Sequence, residues 1–144
     1  MNETTDIAHL IQAAIAPVFL LSGVAAMLGV LTNRLARIVD RARALEGKLA
    51  AQPQTLPQHL QDLTVLARRA RYVNVAISLC TIAALLVALV VVTLFANAFL
   101  GVGLTKEIAL LFVGAMLCLS AAFIAFFIEV RQATAALRIG EPHI

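Results

Sequence analysis

The sequence predicts an all-α integral membrane protein. It has three transmembrane helices, the first of which extends into a cytoplasmic helical hairpin that returns into the second. Three observations carry this reading. Of 144 residues, 62% are hydrophobic, and the mean hydropathy is +0.96, whereas a soluble domain is about 45–50% apolar. Three apolar runs are each long enough to cross about 30 Å of hydrocarbon at about 1.5 Å per residue. Lysine and arginine are segregated to one side of those runs. One membrane domain covering residues 1–144 is the expected content.

The chain begins with acidic "MNETTD". A cleavable signal peptide needs a basic start and a shorter apolar stretch, so the first helix is expected to be retained. Span one runs from about Ile7 to Leu31, interrupted by His9, Gln12 and Pro17. "NRLARIVDRARALEGKLA" and "LPQHLQDLTVLARRARYV" then alternate charge with Leu, Ile, Val and Ala at helical spacing. The prolines of "AQPQTLPQ" break the helix between them, with a turn at Pro53–Pro57. Residues of about 32–72 therefore read as two helices of a hairpin. Span two covers about Val73 to Leu100 and span three about Ile108 to Ile128. Only "GVGLTKE" joins them, so they are antiparallel neighbours.

Orientation follows from the cations. Arg34, Arg37, Arg41, Arg43, Lys48, Arg68, Arg69 and Arg71 flank the long loop, and Arg131 and Arg138 follow span three. Lys106 stands alone on the other side. The positive-inside rule places the loop and the C-terminus in the cytoplasm and the N-terminus outside.

At about 100° per residue, with Arg34 set at zero, Arg37, Arg41 and Lys48 fall within about 60° of it and form a basic face. Leu31, Leu35, Ile38, Leu45 and Leu49 gather on an arc centred near 60°. A third arc holds Ser22, Ala26, Gly29, Asn33, Ala36, Asp40 and Gly47, small or polar throughout. Such a stripe lets helix backbones approach closely in lipid. It can equally line a narrow aqueous path. The arginines fix topology and meet anionic headgroups. Arg37 and Arg41 are a like-charge i,i+4 pair, unfavourable on an isolated helix, so an anionic group is expected near them.

In "GAMLCLSAAFIAFFIEVRQ", Gly114, Cys118, Ala121, Ala122 and Ala125 form a small stripe that Glu129 continues. A carboxylate near hydrocarbon is costly and is usually paired. Glu129 either snorkels to water or pairs with Arg34 or Arg37. Gln12 and Asn97 are read as interhelical bonds. Cys80 and Cys118 both lie in apolar runs and read as small hydrophobes, and the spacing of His9, His59 and His143 holds no zinc pattern.

The block "PVFLLSGVAAMLGVLTNRLARIVDRARALE", and most specifically "LTNRLARIVDRAR", resembles the opening of a family of small bacterial membrane proteins catalogued as domain of unknown function 2721. The basic return helix and the span ending "FFIEVRQATAAL" resemble it too, so the likeness covers nearly the whole chain. It implies a three-span protein of the bacterial inner (plasma) membrane, and it implies no activity or catalytic residue.

No nucleophile–histidine arrangement, carboxylate pair or phosphate-cradling glycine loop is present, so no enzyme, catalytic site, cofactor or metal is expected. Basic residues on a membrane-fixed helix without interleaved aromatics do not suggest nucleic-acid binding. Two readings stand. The first is a homo-oligomer forming an ion-conducting or transport pore around span one. The alternative is a non-transporting scaffold or accessory subunit whose basic hairpin binds a partner protein or anionic lipid.

Overall fold

The structure, a computed structural model, describes residues 2–139, with the side chains of these except 55 and 136–139. Helix α1 runs Glu3–Ala51, a short 3-10 turn follows at Pro53–Thr55, α2 runs Leu56–Leu100 and α3 runs Thr105–Ile139. All three helices are long and apolar enough to cross a membrane. The 49 residues of α1 span about 74 Å at 1.5 Å per residue, more than twice a hydrocarbon core. Part of the helix must therefore lie outside it.

The helix breaks have local causes. Pro53 opens the 3-10 turn, and the backbone N–H of Gln52 donates to Lys48 O at 2.9 Å, closing the end of α1. Pro57 does not share in the break. It sits in the first turn of α2, where its missing N–H would have had no helical acceptor. The turn is thus shorter than the two prolines suggest. Pro17 lies inside α1, where it cannot donate to the carbonyl of residue 13.

The chain divides into two compact units. The first contains residues 2–28 and 79–121 of the described chain. Its core is Ala14, Val24, Cys80, Ala83, Val87, Val90, Ala115 and Leu119. A Cβ on Gly114 would meet the Leu86 side chain at 3.6 Å, so this small residue sits in ordinary packing contact. The α2–α3 connection is tied down. Gly101 and Gly103 take φ of 63° and 73°, a region L side chains avoid. The Gly101 N–H donates to Asn97 O at 3.0 Å, and Asn97 Oδ1 accepts the Leu104 N–H at 2.8 Å. Asn97 is therefore a loop cap and not the interhelical bond its position suggests. Two span hydroxyls bond within their own helix: Thr93 donates to Leu89 O at 2.6 Å and Ser120 to Met116 O at 2.8 Å.

The second unit contains residues 29–78 and 122–139 of the described chain. Its core is Leu31, Ile38, Leu66, Val73, Ala76, Ala122 and Ala125, together with one buried charged residue, Glu129.

Candidate functional site

The site is built from three core positions that carry charge. On α1, Arg34 stands between buried Leu31 and Ile38, three residues after one and four before the other. On α2, Arg69 stands in the same way between buried Leu66 and Val73. On α3, Glu129 follows Ala122 and Ala125 at spacings of seven and four. Residues three, four and seven apart share a helix face, so each charge points where its neighbours point, into the core.

There the three meet. Arg34 Nε donates to Glu129 Oε2 at 2.8 Å, and its Nη2 lies 2.7 Å from the same oxygen. Arg69 Nε and Nη2 donate to Oε1 at 3.2 and 3.1 Å. Each guanidinium approaches side-on and holds one carboxylate oxygen. The Glu129 side chain is fully buried, that of Arg69 is 15% exposed and that of Arg34 is 32% exposed. The Arg34 guanidinium also lies over the Phe126 ring, 5.4 Å from its centre, an attraction to the negative face of the ring.

Burying a lone carboxylate costs several kcal/mol, and the cost falls only where paired charge and hydrogen bonds replace water. Glu129 has both, from two elements. Its oxygens are occupied by guanidinium N–H groups, so it joins helices and does not present an open ligand. The cluster carries one net positive charge.

Of the two arginines expected as partners, the structure brings Arg34 to Glu129. Arg37 is exposed and forms no ion pair with Glu129 among the described residues. The second partner is Arg69, which sequence reasoning missed. A signal for it existed. Leu66, Arg69, Val73, Ala76, Cys80, Ala83, Val87 and Val90 alternate spacings of three and four, the pattern of a helix seam. Arg69 is its only charged member.

The basic face also divides. Arg34 turns inward to Glu129, whereas Arg37, Arg41 and Lys48 are exposed. The small stripe is exposed throughout: Ser22, Ala26, Gly29, Asn33, Ala36 and Asp40 lie outside the core of this chain. A Cβ added at Gly23, Gly29 or Gly47 would meet open space. On α1 the buried Val24, Leu31 and Ile38 centre near 60° and the stripe near 240°, so the stripe is the back of the helix. Among the described residues no group of His, Cys, Asp or Glu is placed to hold a metal.

The sequence profile of a family described as "Protein of unknown function (DUF2721)" matches residues 14–139. The chain belongs to the DUF2721 family. All three members of the charged cluster, and the whole small stripe, lie within the matched DUF2721 region. No curated protein and no solved structure matches this DUF2721 chain.

Proposed function

We propose that this chain is a self-assembling protein of the bacterial inner membrane, N-terminus outside and C-terminus cytoplasmic. Copies pack through the back of α1 and frame an ion path along it, and residues 32–72 form a helical hairpin in the cytoplasm. The observation that carries the reading is a contrast between exposed faces. Those of α2 and α3 are large and apolar: Leu85, Leu89 and Val92 on one, Leu110, Leu117 and Ile124 on the other. That is what lipid tails select. The back of α1 from Ser22 onward carries Ala, Gly, Ser and Asn instead. Small residues let a second helix approach closely, and polar ones gain from a protein or water neighbour. Three helices do not enclose a pore, so the path requires several copies.

Single-cysteine crosslinking tests the assembly. Cys80 and Cys118 are first replaced, then one cysteine is placed at Gly29 or at Leu117, which is 66% exposed on α3. Oxidation in membranes should join copies at position 29 and not at 117. The reverse pattern would overturn the reading. Ion flux into liposomes holding the crosslinked species then tests the path.

The second reading, a scaffold or accessory subunit, draws support from the exposed Arg37, Arg41, Arg43, Lys48, Arg68 and Arg71. They give this part of the chain an excess of exposed positive charge suited to an acidic partner or anionic lipid. Assembly at position 29 with no flux at any ionic composition favours this second reading.

A further inference from the structure

We propose that α3 carries a binding site for an anionic phospholipid, with the phosphate on Arg131 and the acyl chains along Phe123, Ile124 and Phe127. The site is separate from the back of α1 and does not depend on how copies assemble. Phe123, Phe127 and Arg131 follow one another at spacings of four on one helix row, and Ile124 lies beside them. The three apolar members are 51%, 59% and 61% exposed for Phe123, Phe127 and Ile124, so the row presents its rings outward. Arg131 stands where the apolar run ends, and its guanidinium lies over the Phe127 ring, 6.0 Å from the centre. That contact sets the exposed cation at the end of the apolar row.

The helix surface on one flank of Arg131 is open and is formed by Phe127, Ile128, Gln132 and Ala135 of α3. The other flank is formed by Val130, Thr134 and Ala135 of the same helix. The Thr134 hydroxyl already donates to Val130 O at 2.9 Å, which leaves Arg131 and the Gln132 amide as donors.

Charge favours the same occupant. Glu129, two residues away, is buried and held by Arg34 and Arg69, so it does not neutralise this face. Among the described residues Arg131 forms no ion pair with a carboxylate. A planar guanidinium suits a phosphate's paired oxygens.

The chain has no tryptophan, so an introduced one reports alone. Phe127→Trp keeps an aromatic face beneath Arg131 and reads the site. Leu110→Trp, near the other end of α3 and 72% exposed, reads the opposite leaflet. Each variant is reconstituted in phosphatidylcholine bilayers containing brominated phosphatidylglycerol or brominated phosphatidylcholine, and quenching is measured. We expect about a fivefold preference for the anionic lipid at position 127, the scale of one guanidinium at an anionic surface, and none at 110. Arg131→Gln should remove the preference, and so should 1 M salt, where the Debye length falls to about 3 Å. Equal quenching by the two lipids at 127 would overturn the proposal. A preference that survives Arg131→Gln would do the same. Should that variant fail to fold, a preference that persists undiminished in 1 M salt would overturn it on the parent Phe127→Trp protein alone.

Discussion

Replacing Glu129 by glutamine keeps the shape of the side chain and removes its charge. The amide then presents one acceptor oxygen and one donor NH₂. The oxygen can serve either Arg34 or Arg69, but the NH₂ faces the other guanidinium donor to donor. Two cations also remain close together with no negative charge between them. Removing one partner of a buried pair costs about 3–5 kcal/mol. Arg34, with 32% of its side chain exposed, can turn toward water and recover part of this. Arg69, at 15%, is less able to. The loss should therefore lie near the lower bound, about 3 kcal/mol. At about 2–4 °C per kcal/mol for a chain near this size, melting in detergent should fall by about 6–12 °C.

Substituting one arginine is milder, because the other still holds the carboxylate. Arg34→Gln should cost about 1.5–3 kcal/mol, the range for a hydrogen bond to a charged group, and Arg69→Gln should cost more than Arg34→Gln. The double variant Glu129→Gln with Arg69→Gln should lose less than the two singles combined, by about 0.5–3 kcal/mol. Replacing all three by Arg34→Met, Arg69→Met and Glu129→Leu should recover most of the loss, since an apolar cluster leaves no unpaired charge. Effects of Glu129→Gln that simply add to those of both arginine variants, within about 0.3–0.5 kcal/mol, would show that no coupled cluster exists.

Three further outcomes are expected. Gly29→Leu meets open space within its own chain, so it should leave protomer melting within about 0.5 kcal/mol of the parent while lowering the oligomeric mass in detergent; an unchanged mass would mean that this face meets lipid. A reporter fused after Ile144 should be active only in the cytoplasm, following the placement of ten cations on one side and Lys106 on the other, and periplasmic activity would reverse the orientation. Gly103→Ala forces a side chain into φ of 73° and should lower stability by about 1–2 kcal/mol in a melting assay, whereas Gly47→Ala, on a helical position facing open space, should be neutral or slightly stabilising.

Much of the architecture can be read without coordinates because lipid imposes length and composition so strictly. Apolar runs of the required length had to be helices, since a helix satisfies its own backbone polar groups in hydrocarbon. The two glycines after Leu100 marked the α2–α3 turn, and both do take positive φ. The proline pair was less reliable as a marker. Pro53 and Pro57 look alike in sequence, but only Pro53 belongs to the break, because a proline is equally at home in the first turn of the next helix. Asn97 was misread for a similar reason. A short amide near a helix end can bond across helices or cap its own loop, and the spacing to Leu104 becomes visible only once the loop is folded.

The sequence by itself determined three long apolar helices, the sided distribution of charge and which residues share each helix face. It also singled out Glu129 as a carboxylate needing a cation. Only the tertiary structure decided that Arg34 and Arg69 supply it while Arg37 stays exposed, and that the small stripe of α1 lies opposite the row buried within its own chain. The reason is physical. Helical periodicity fixes the angle between residues on one helix but not the rotation of that helix against its neighbours. In a soluble protein, hydrophobicity marks that rotation, because only one face avoids water. In lipid both faces are apolar. On α1 the packed arc holds Val24, Leu31 and Ile38, the outward arc holds Ala26, Gly29 and Ala36, and composition alone does not say which of the two turns inward.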